Sequence, residues 1–170
     1  RYLEIALGQS RKVGRLAQEV FELARLEYGV VKPEKESFAL ADLVQDVFQK
    51  FELAAEARHQ RLIPDIAAGL PVVSADLGMI ERVLTNLLDN AIRHTPMGGE
   101  IVVQLRAQHG GVVVQISDTG GGIPGELQKS LFTRPVFMSG SRTERTGSGG
   151  LGLMIVKRIL QLHGSDIELL

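Results

Sequence analysis

The chain has 170 residues, with 19 basic and 20 acidic side chains and no cysteine. This length suits one domain with a sizeable core and one appended element. A net charge of −1 excludes a strong overall field for nucleic acid or an anionic membrane, so we expect no nucleic-acid partner. The lack of cysteine excludes disulfides, thiolate chemistry and cysteine-based zinc sites, and it is compatible with a cytosolic location.

No apolar run approaches the roughly 20 residues that a helix needs to span a bilayer, and no signal peptide is visible. The sequence opens inside a helical pattern and stops just after residues 167–170, which have the pattern of a strand beginning. Both ends therefore predict that the chain is part of a longer protein.

The first predicted element is a long helix over residues 1–28, which contain no proline. Its apolar residues form two neighbouring stripes at helical spacing. These stripes are Val13, Leu16, Val20 and Leu23, and beside them Leu3, Leu7, Gly14, Ala17, Phe21 and Ala24. Two stripes favour burial against more than one neighbour, as in a helical bundle, and the alternative is a helix docked on its own domain.

The next elements are short. Gly29 suits the left-handed turn that ends the first helix, the polar residues 32–36 form a linker, and residues 37–40 predict a strand. An amphipathic helix follows, and then two strands separated by a proline. The apolar side of this helix consists of Leu40, Leu43, Val44, Val47, Phe48 and Phe51. The two strands are predicted at Leu62–Ile66 and Val72–Val73.

The second half of the chain begins with a helix that Asp76 caps and that runs to about His94. A hairpin with alternating apolar residues follows, then a glycine-rich turn at 118–125 and a long irregular region. The last predicted helix, Leu151–His163, ends at Gly164.

Three polar residues of the helix that ends at His94 form the first functional signal. Asn86, Asn90 and Arg93 fall within about a 60° arc that borders the apolar side of the helix. Amides at such a boundary need hydrogen-bond partners, and a hydrated Mg²⁺ ion with a triphosphate would supply them. Arg93 would then reach a phosphate oxygen. The alternative is that both amides bond to neighbouring backbone and that Arg93 is solvated.

The second signal is the glycine-rich turn after the hairpin. Asp118 has the strand parity of Val112, Val114 and Ile116, so we expect its carboxylate to be buried and to need donors. Turn amides or an adenine amino group could donate to it. The glycines that follow would let the backbone approach a flat ring closely.

The third signal is a glycine-rich run, residues 147–153, that opens the last helix. Backbone N–H groups at a helix N-terminus form an anion site. The run is not a P-loop, because no Gly-Lys-Ser or Gly-Lys-Thr follows it, and no strand leads directly into it as in a dinucleotide fold.

The order and spacing of these motifs resemble the catalytic domain of sensor histidine kinases, within the ATP-binding superfamily of gyrase, a heat-shock chaperone and mismatch-repair ATPases. The matching boxes are the N box at 86–94, the G1 box at 118–124, the F box at 131–134, and the G2 box at 147–153 with its helix to Gly164. Residues 1–30 resemble the second helix of the dimerisation and phosphotransfer domain. The implied domains are 1–30 and 31–170.

The resemblance implies an α/β fold: a two-layer α/β sandwich with a mixed sheet under three helices, preceded by one long bundle helix. It places a mobile ATP lid at residues 139–146, a stretch without apolar periodicity.

By the same resemblance the cofactors are ATP and Mg²⁺. Asp118 would accept from the adenine amino group, Asn90 would ligate Mg²⁺, and Asn86 and Arg93 would be the catalytic residues on the phosphate side. The remaining residues of the implied nucleotide site are His94, Gly120, Gly122, Ile123, Arg134, Gly149, Gly150, Leu151, Gly152 and Leu153. Of these, Gly150 and Gly152 would present backbone to the phosphates.

The implied reaction is transfer of the ATP γ-phosphate to a histidine of the dimerisation domain. Asn86 stands where ATPase relatives have a water-activating Glu, which disfavours hydrolysis. The implied setting is a homodimeric, cytoplasmic part of an inner-membrane sensor that serves a response regulator. A regulatory pseudokinase module and a protein-serine kinase or ATPase of the same fold are the alternatives.

Two features depart from the family pattern. Pro135 stands where the F box usually has an aromatic residue, for which Phe137 could substitute, and Ser148 and Gly149 replace the more usual Gly followed by Thr or Ser. These changes fall at the hinges of the implied lid.

The phosphate-accepting histidine is absent from this chain. None of the four histidines sits on the first helix or precedes the acidic residue of the family's H box; they are His59, His94, His109 and His163. We expect His94 to pack near the pocket on the apolar side of its helix, and the other three to be structural. The chain should therefore bind ATP without phosphorylating itself at the usual site.

Overall fold

The computed structural model describes residues 2–135 and 150–170. In chain order the elements are α1 Tyr2–Glu27, β1 Glu36–Phe38, α2 Leu40–Glu56, β2 Arg61–Ile66, β3 Val73–Ala75, α3 Leu77–His94, β4 Glu100–Gln108, β5 Gly111–Asp118, α4 Gly125–Gln128 and α5 Gly152–Leu162. They form two compact units, one within residues 1–32 and 123–170 and the other of residues 33–122. Among the described residues, no helix combines the length and apolar character that a membrane span requires.

The second unit contains a mixed three-stranded sheet in the order β2–β4–β5. Strand β4 pairs in parallel with β2 and antiparallel with β5. The short strands β1 and β3 form a separate antiparallel pair. The α/β architecture with a mixed sheet, expected from the sequence, is confirmed.

One face of this sheet is covered by α2 and α3. The alternation in β4 places Ile101, Val103 and Leu105 on the covered face, where all three are almost completely buried. Their helical counterparts include Val47 of α2 and Leu88 of α3, which are equally inaccessible. Burying each such side chain contributes about 1.5–3 kcal/mol, so this layer supplies much of the unit's stability.

Helix α3 begins where the sequence predicts. The Asp76 side chain accepts a hydrogen bond from the Met79 amide at 2.9 Å and another from the Glu34 amide at 2.9 Å. It therefore satisfies one of the orphan N–H groups of the helix and also holds the incoming linker. By contrast α2 begins after Ala39, which has an extended backbone and no side-chain capping bond.

The first unit pairs α1 with α5. Arg158 of α5 donates from Nε to the Leu26 carbonyl at 3.3 Å and from Nη2 to the Glu27 carbonyl at 3.4 Å. Leu26 is buried, whereas Phe21, from one of the predicted stripes of α1, is 66% exposed. The described part of the chain thus covers only part of the apolar surface of α1, and a bundle partner for the rest stays a prediction.

Several elements differ from the predicted ones. Strand β1 starts and ends earlier than predicted, and the short helix α4 lies in a region expected to be irregular. The strand expected at 167–170 is absent, because residues 165–170 have no regular structure. An apolar run forms a strand only where an edge is available to pair with it.

Candidate nucleotide-binding site

The polar stripe of α3 lies at the edge of the core, as predicted. Asn86, Asn90 and Arg93 are all half-buried. Arg93 forms an ion pair with Asp89 at 3.1 Å, donates from Nε to the Asp89 carbonyl at 3.3 Å, and donates from Nη2 to the Asn90 carboxamide oxygen. Arg93 is therefore held against its own helix and is not simply solvated.

His94 lies at the surface, so the prediction that it packs on the apolar side of α3 is wrong. Because it follows Asn90 by four residues, it continues the polar stripe. The core position at this end of the helix belongs to Thr95, which is 1% exposed and donates from Oγ1 to the Ala91 carbonyl at 2.7 Å.

The surroundings of His94 favour its neutral form. Desolvation of part of the ring lowers its pKa below the ordinary value, and the neighbouring Arg93 charge lowers the pKa further. Asp118 and Asp89 act in the opposite direction. The end of β5 lies near the end of α3, since Gly120, two residues after Asp118, packs against the His94 carbonyl.

Asp118 ends β5 opposite Ile101, with the strand parity that the sequence predicts. Its burial was predicted wrongly, since the side chain is exposed. Asp118 is the last residue of β5, where the chain leaves the sheet and enters the glycine-rich turn. Its Oδ1 accepts a hydrogen bond from the Gly120 amide at 2.7 Å, and within the described residues Oδ2 accepts none. One carboxylate oxygen is thus satisfied by the turn, and the other faces outward.

The turn after Asp118 contacts the C-terminal end of α3. A Cβ added to Gly120 would lie 2.5 Å from Oδ1 of Asp118 and 2.8 Å from the His94 carbonyl oxygen. Gly122 has a φ of +71°, which favours glycine. The requirement for glycine at these two positions comes from close packing and from the left-handed backbone.

Gln60 also belongs to this region, although no motif of the sequence singles it out. Its side chain is almost fully buried, and Nε2 donates to the carbonyls of Ile92 at 2.9 Å and Thr95 at 2.7 Å. A single glutamine in the polar run 58–61 has the pattern of a solvated loop. Only the three-dimensional structure reveals that it caps α3.

The remaining predicted site residues lie in the first unit. The Ile123 carbonyl accepts a hydrogen bond from the Gln128 side chain at 3.0 Å, and Arg134 is exposed at the end of the turn after α4. Leu131, at the start of the F box, is buried, and Lys157 lies 5.9 Å from the ring centre of Phe132. These contacts give the F box a structural role, and its role toward nucleotide stays a prediction.

The residues that open α5 belong to the same unit. Gly150 has a left-handed φ of +73°, Leu151 is buried, and the helix starts at Gly152, with Leu153 half-buried in its first turn. Gly149 and the predicted lid at 139–146 lie outside the described residues. The assignment of this run to phosphate binding therefore stays a prediction.

The polar groups of the second unit fit a magnesium–nucleotide ligand. At 1.5 Å per residue, Asn90 and Asn86 lie about 6 Å and about 12 Å along the helix axis from His94 and the nearby Asp118 turn. Asn oxygens are neutral Mg²⁺ ligands, and the described residues contain no cluster of three or more His, Asp or Glu side chains able to hold a metal. That donor set suits an ion coordinated mostly by phosphate and water.

Residues 75–169 match the family model described as histidine kinase-, DNA gyrase B-, and HSP90-like ATPase. The chain belongs to this family. The relatives and structural neighbours include a sensor protein, a sensory kinase and the catalytic domain of a histidine kinase, so within this family the chain is an ATP-binding catalytic domain of the histidine-kinase type.

Two relatives illustrate the similarity. The alginate biosynthesis sensor protein KinB of Pseudomonas aeruginosa is 38% identical over 152 residues, covering 89% of this chain and 25% of KinB. The adaptive-response sensory kinase SasA of Synechococcus elongatus is 33% identical over 159 residues, covering 93% of this chain and 41% of SasA. The chain thus spans well under half the length of either relative.

Solved structures give the same assignment. The catalytic domain of histidine kinase ThkA matches with a TM-score of 0.66 and 30% identity over 75% of this chain and 80% of that one. Histidine kinase AdeS of Acinetobacter baumannii matches with a TM-score of 0.75 and 26% identity, covering 94% of this chain and 72% of AdeS. Full-length ShkA, solved in complex with AMPPNP, matches with a TM-score of 0.79 and 25% identity, covering 94% of this chain and 33% of ShkA.

Proposed function

We propose that this chain binds Mg-ATP and transfers the γ-phosphoryl group to a histidine on the dimerisation helix of a sensor kinase. The observation that supports the proposal best is the position of Asp118. Its outward carboxylate oxygen lies beside the end of α3, the helix that carries Asn86, Asn90 and Arg93.

At the adenine end, Oδ2 of Asp118 would accept a hydrogen bond from the exocyclic amino group. The Gly120 amide holds Oδ1 of the same carboxylate, which fixes the direction of Oδ2. Because Gly120 and Gly122 lack side chains, the ring could approach the turn backbone closely.

At the phosphate end, Arg93 would exchange partners. Its guanidinium now contacts the Asn90 oxygen, the atom that would ligate Mg²⁺. A γ- or β-phosphate offers Arg93 a more strongly charged acceptor than an amide does, so nucleotide binding would release Asn90 toward the metal. Asn86, one helical turn earlier, would contact the phosphates or their bound water.

In the transfer step, the bond between the γ-phosphorus and the β–γ bridging oxygen breaks, and a bond forms from the phosphorus to an imidazole nitrogen. A neutral imidazole is already a nucleophile, so the catalytic domain has only to position ATP and balance its charge. Asn86 cannot accept a proton from water, which argues against ATP hydrolysis as the main reaction.

We place residues 1–30 in the dimerisation domain and residues 31–170 in the catalytic domain. The exposed apolar side chains of α1, including Leu3, Val13 and Phe21, suit packing against a second helix and a second copy of the chain. A structure of ThkA with the response regulator TrrA supports a response regulator as a further partner here. A cytoplasmic position within a membrane-bound sensor completes the proposal.

The adenine assignment is tested by calorimetry with Mg-ATP. Asp118→Asn presents an N–H group where the adenine amino group needs an acceptor, so its affinity should fall at least about tenfold, whereas Asp46→Asn on the exposed side of α2 should bind like wild type. Equal binding by both variants and wild type would refute the role of Asp118.

The reaction is tested by mixing the chain with a separately produced helical hairpin that bears the phosphoaccepting histidine, together with γ-labelled ATP. Acid-labile label on the hairpin supports histidine phosphorylation. Acid-stable label favours the serine-kinase alternative, released phosphate without labelled hairpin favours an ATPase, and ATP binding without any turnover favours a regulatory module.

A further inference from the structure

The loop between α2 and β2 is fixed by hydrogen bonds on both sides. The backbone N–H of Gln60 donates to the Ala55 carbonyl at 2.9 Å and so ends α2 with a hydrogen-bonded turn. On the other side, Gly98 donates to the Arg58 carbonyl at 3.2 Å, and Arg61 donates to the Gly99 carbonyl at 2.9 Å. The left-handed φ of 53° at His59 turns the chain between these anchors. The Gln60 side chain is thereby directed beneath the end of α3.

The side-chain amide of Gln60 supplies hydrogen-bond donors to the free carbonyls at the C-terminal end of α3. Its two N–H groups satisfy the Ile92 and Thr95 carbonyls, and Nη2 of Arg58 lies 3.5 Å from the Arg93 carbonyl. Its Oε1 is buried without a hydrogen-bond partner among the described residues. A buried oxygen without a hydrogen-bond donor lowers the stability of the fold. The stabilising contribution of Gln60 therefore comes from its N–H groups.

The same helix end is locked to the turn that carries Asp118. A Cβ on Gly99 would overlap Cγ2 of Thr95 and would lie 2.6 Å from Oγ1 of Thr119. Thr119 in turn exchanges two hydrogen bonds with the Glu100 backbone, at 3.0 and 2.9 Å. Any shift of the last turn of α3 is therefore transmitted to residues 118–120.

We propose that Gln60 is a positioning residue for nucleotide binding. By capping α3, it fixes the distance between Asp118 and the polar stripe of α3 without touching the nucleotide. This inference rests on the proposed ATP binding. Wild-type binding tests that premise, and the variants below test Gln60 separately.

Gln60→Met keeps the length and volume of the side chain but removes both donors. We expect its Kd for Mg-ATP to rise about fivefold to tenfold, as expected when buried carbonyls lose their partners and the helix end shifts. Gln115→Met, the same change on the exposed side of β5, should leave the Kd within about twofold of wild type.

A loss of general stability must be separated from a loss of positioning. Val47→Ala removes core volume from α2, away from the contact between Gln60 and the end of α3. It should lower the denaturation midpoint at least as far as Gln60→Met. At a temperature where all variants are folded, Val47→Ala should still bind Mg-ATP like wild type. If it loses as much affinity as Gln60→Met, or if Gln60→Met binds normally, the inference is overturned.

A second measurement reports on geometry directly. In an NMR titration without nucleotide, loosening of the helix end in Gln60→Met should move the pKa of His94 back toward its ordinary value, because the ring would lose part of its desolvated surroundings. Gln115→Met and Val47→Ala should keep the wild-type value. An unchanged His94 pKa in Gln60→Met would show that the Gln60 side chain does not set the position of the last turn of α3.

Discussion

Helices α1 and α3 have similar amphipathic sequences but very different surroundings. The apolar side of α3 is covered by α2 and the sheet, with Leu88 only 1% exposed. Its first turn is capped by the adjacent Asp76, and its last turn is capped by Gln60 from a distant segment. Along α1, Val13 and Phe21 remain 65% and 66% exposed, and the C-terminal carbonyls are bound by Arg158.

The two helices show that the same amphipathic pattern can serve a core within one unit or an exposed side open to a partner. Periodicity predicts that a side of a helix is apolar, but it does not say which surface will cover that side. For α3 the covering surface lies within the same 90 residues, so the helix provides a rigid support for the polar stripe. For α1 the described residues cover only part of the apolar side, which suits a helix that assembles with others.

The largest expected effect comes from truncating one core side chain of α3 and comparing it with a truncated exposed side chain of α1. Leu88→Ala should lower the free energy of unfolding by about 2–5 kcal/mol, because it opens a cavity under α3. Phe21→Ala removes a larger side chain, yet it should change stability by no more than about 0.5 kcal/mol at protein concentrations too low for self-association. Denaturant titration of both variants measures this, and a large loss in Phe21→Ala would mean that α1 is covered within a single chain.

A smaller effect is expected at the start of α3. Asp76→Ala removes an acceptor shared by the Met79 and Glu34 amides and should cost about 1–2 kcal/mol in chemical denaturation. Asp46→Ala, at an exposed position within α2, serves as the control and should stay within about 0.5 kcal/mol of wild type.

The converse change concerns α2, which lacks a side-chain cap. Ala39 is exposed and extended, so Ala39→Ser should accept a hydrogen bond from the first turn and raise the free energy of unfolding by about 0.5–1 kcal/mol. An unchanged denaturation midpoint would show that the first turn of α2 is already satisfied by solvent.

The smallest expected effect is the pH dependence from His94. Because its folded pKa lies below the unfolded value of about 6.5, folding favours the neutral ring. This stabilisation is fully present above the unfolded pKa and is lost as the pH falls from there through the lower, folded pKa. Comparing denaturation midpoints at pH 7.5 and pH 5 should give a smaller difference for His94→Asn than for wild type.

His109→Asn is the matched control, since His109 has a left-handed φ of 49° in the hairpin turn and Asn tolerates that conformation. It should keep the wild-type difference between the two pH values. If instead His94→Asn retains that difference, other groups cause it.

Much of the fold was predictable because local signals agreed with it. The cap at Asp76, the alternation of Ile101, Val103 and Leu105, and the left-handed Gly29 are confirmed, and the last helix ends just before Gly164 as predicted. The exposure of His94 and Asp118 was not predicted, because periodicity gives direction relative to an element and does not show where the covering layer ends.

The sequence by itself determined the order of the elements from α1 to β5, the polar stripe of α3 and the glycine turn after Asp118, since each depends on spacing within a short segment. The tertiary structure decided that Gln60, 32 residues before Ile92, caps α3, and that Gly120 packs on the His94 carbonyl. These contacts join segments far apart in the chain. They depend on how the sheet and helices pack, which no local pattern encodes.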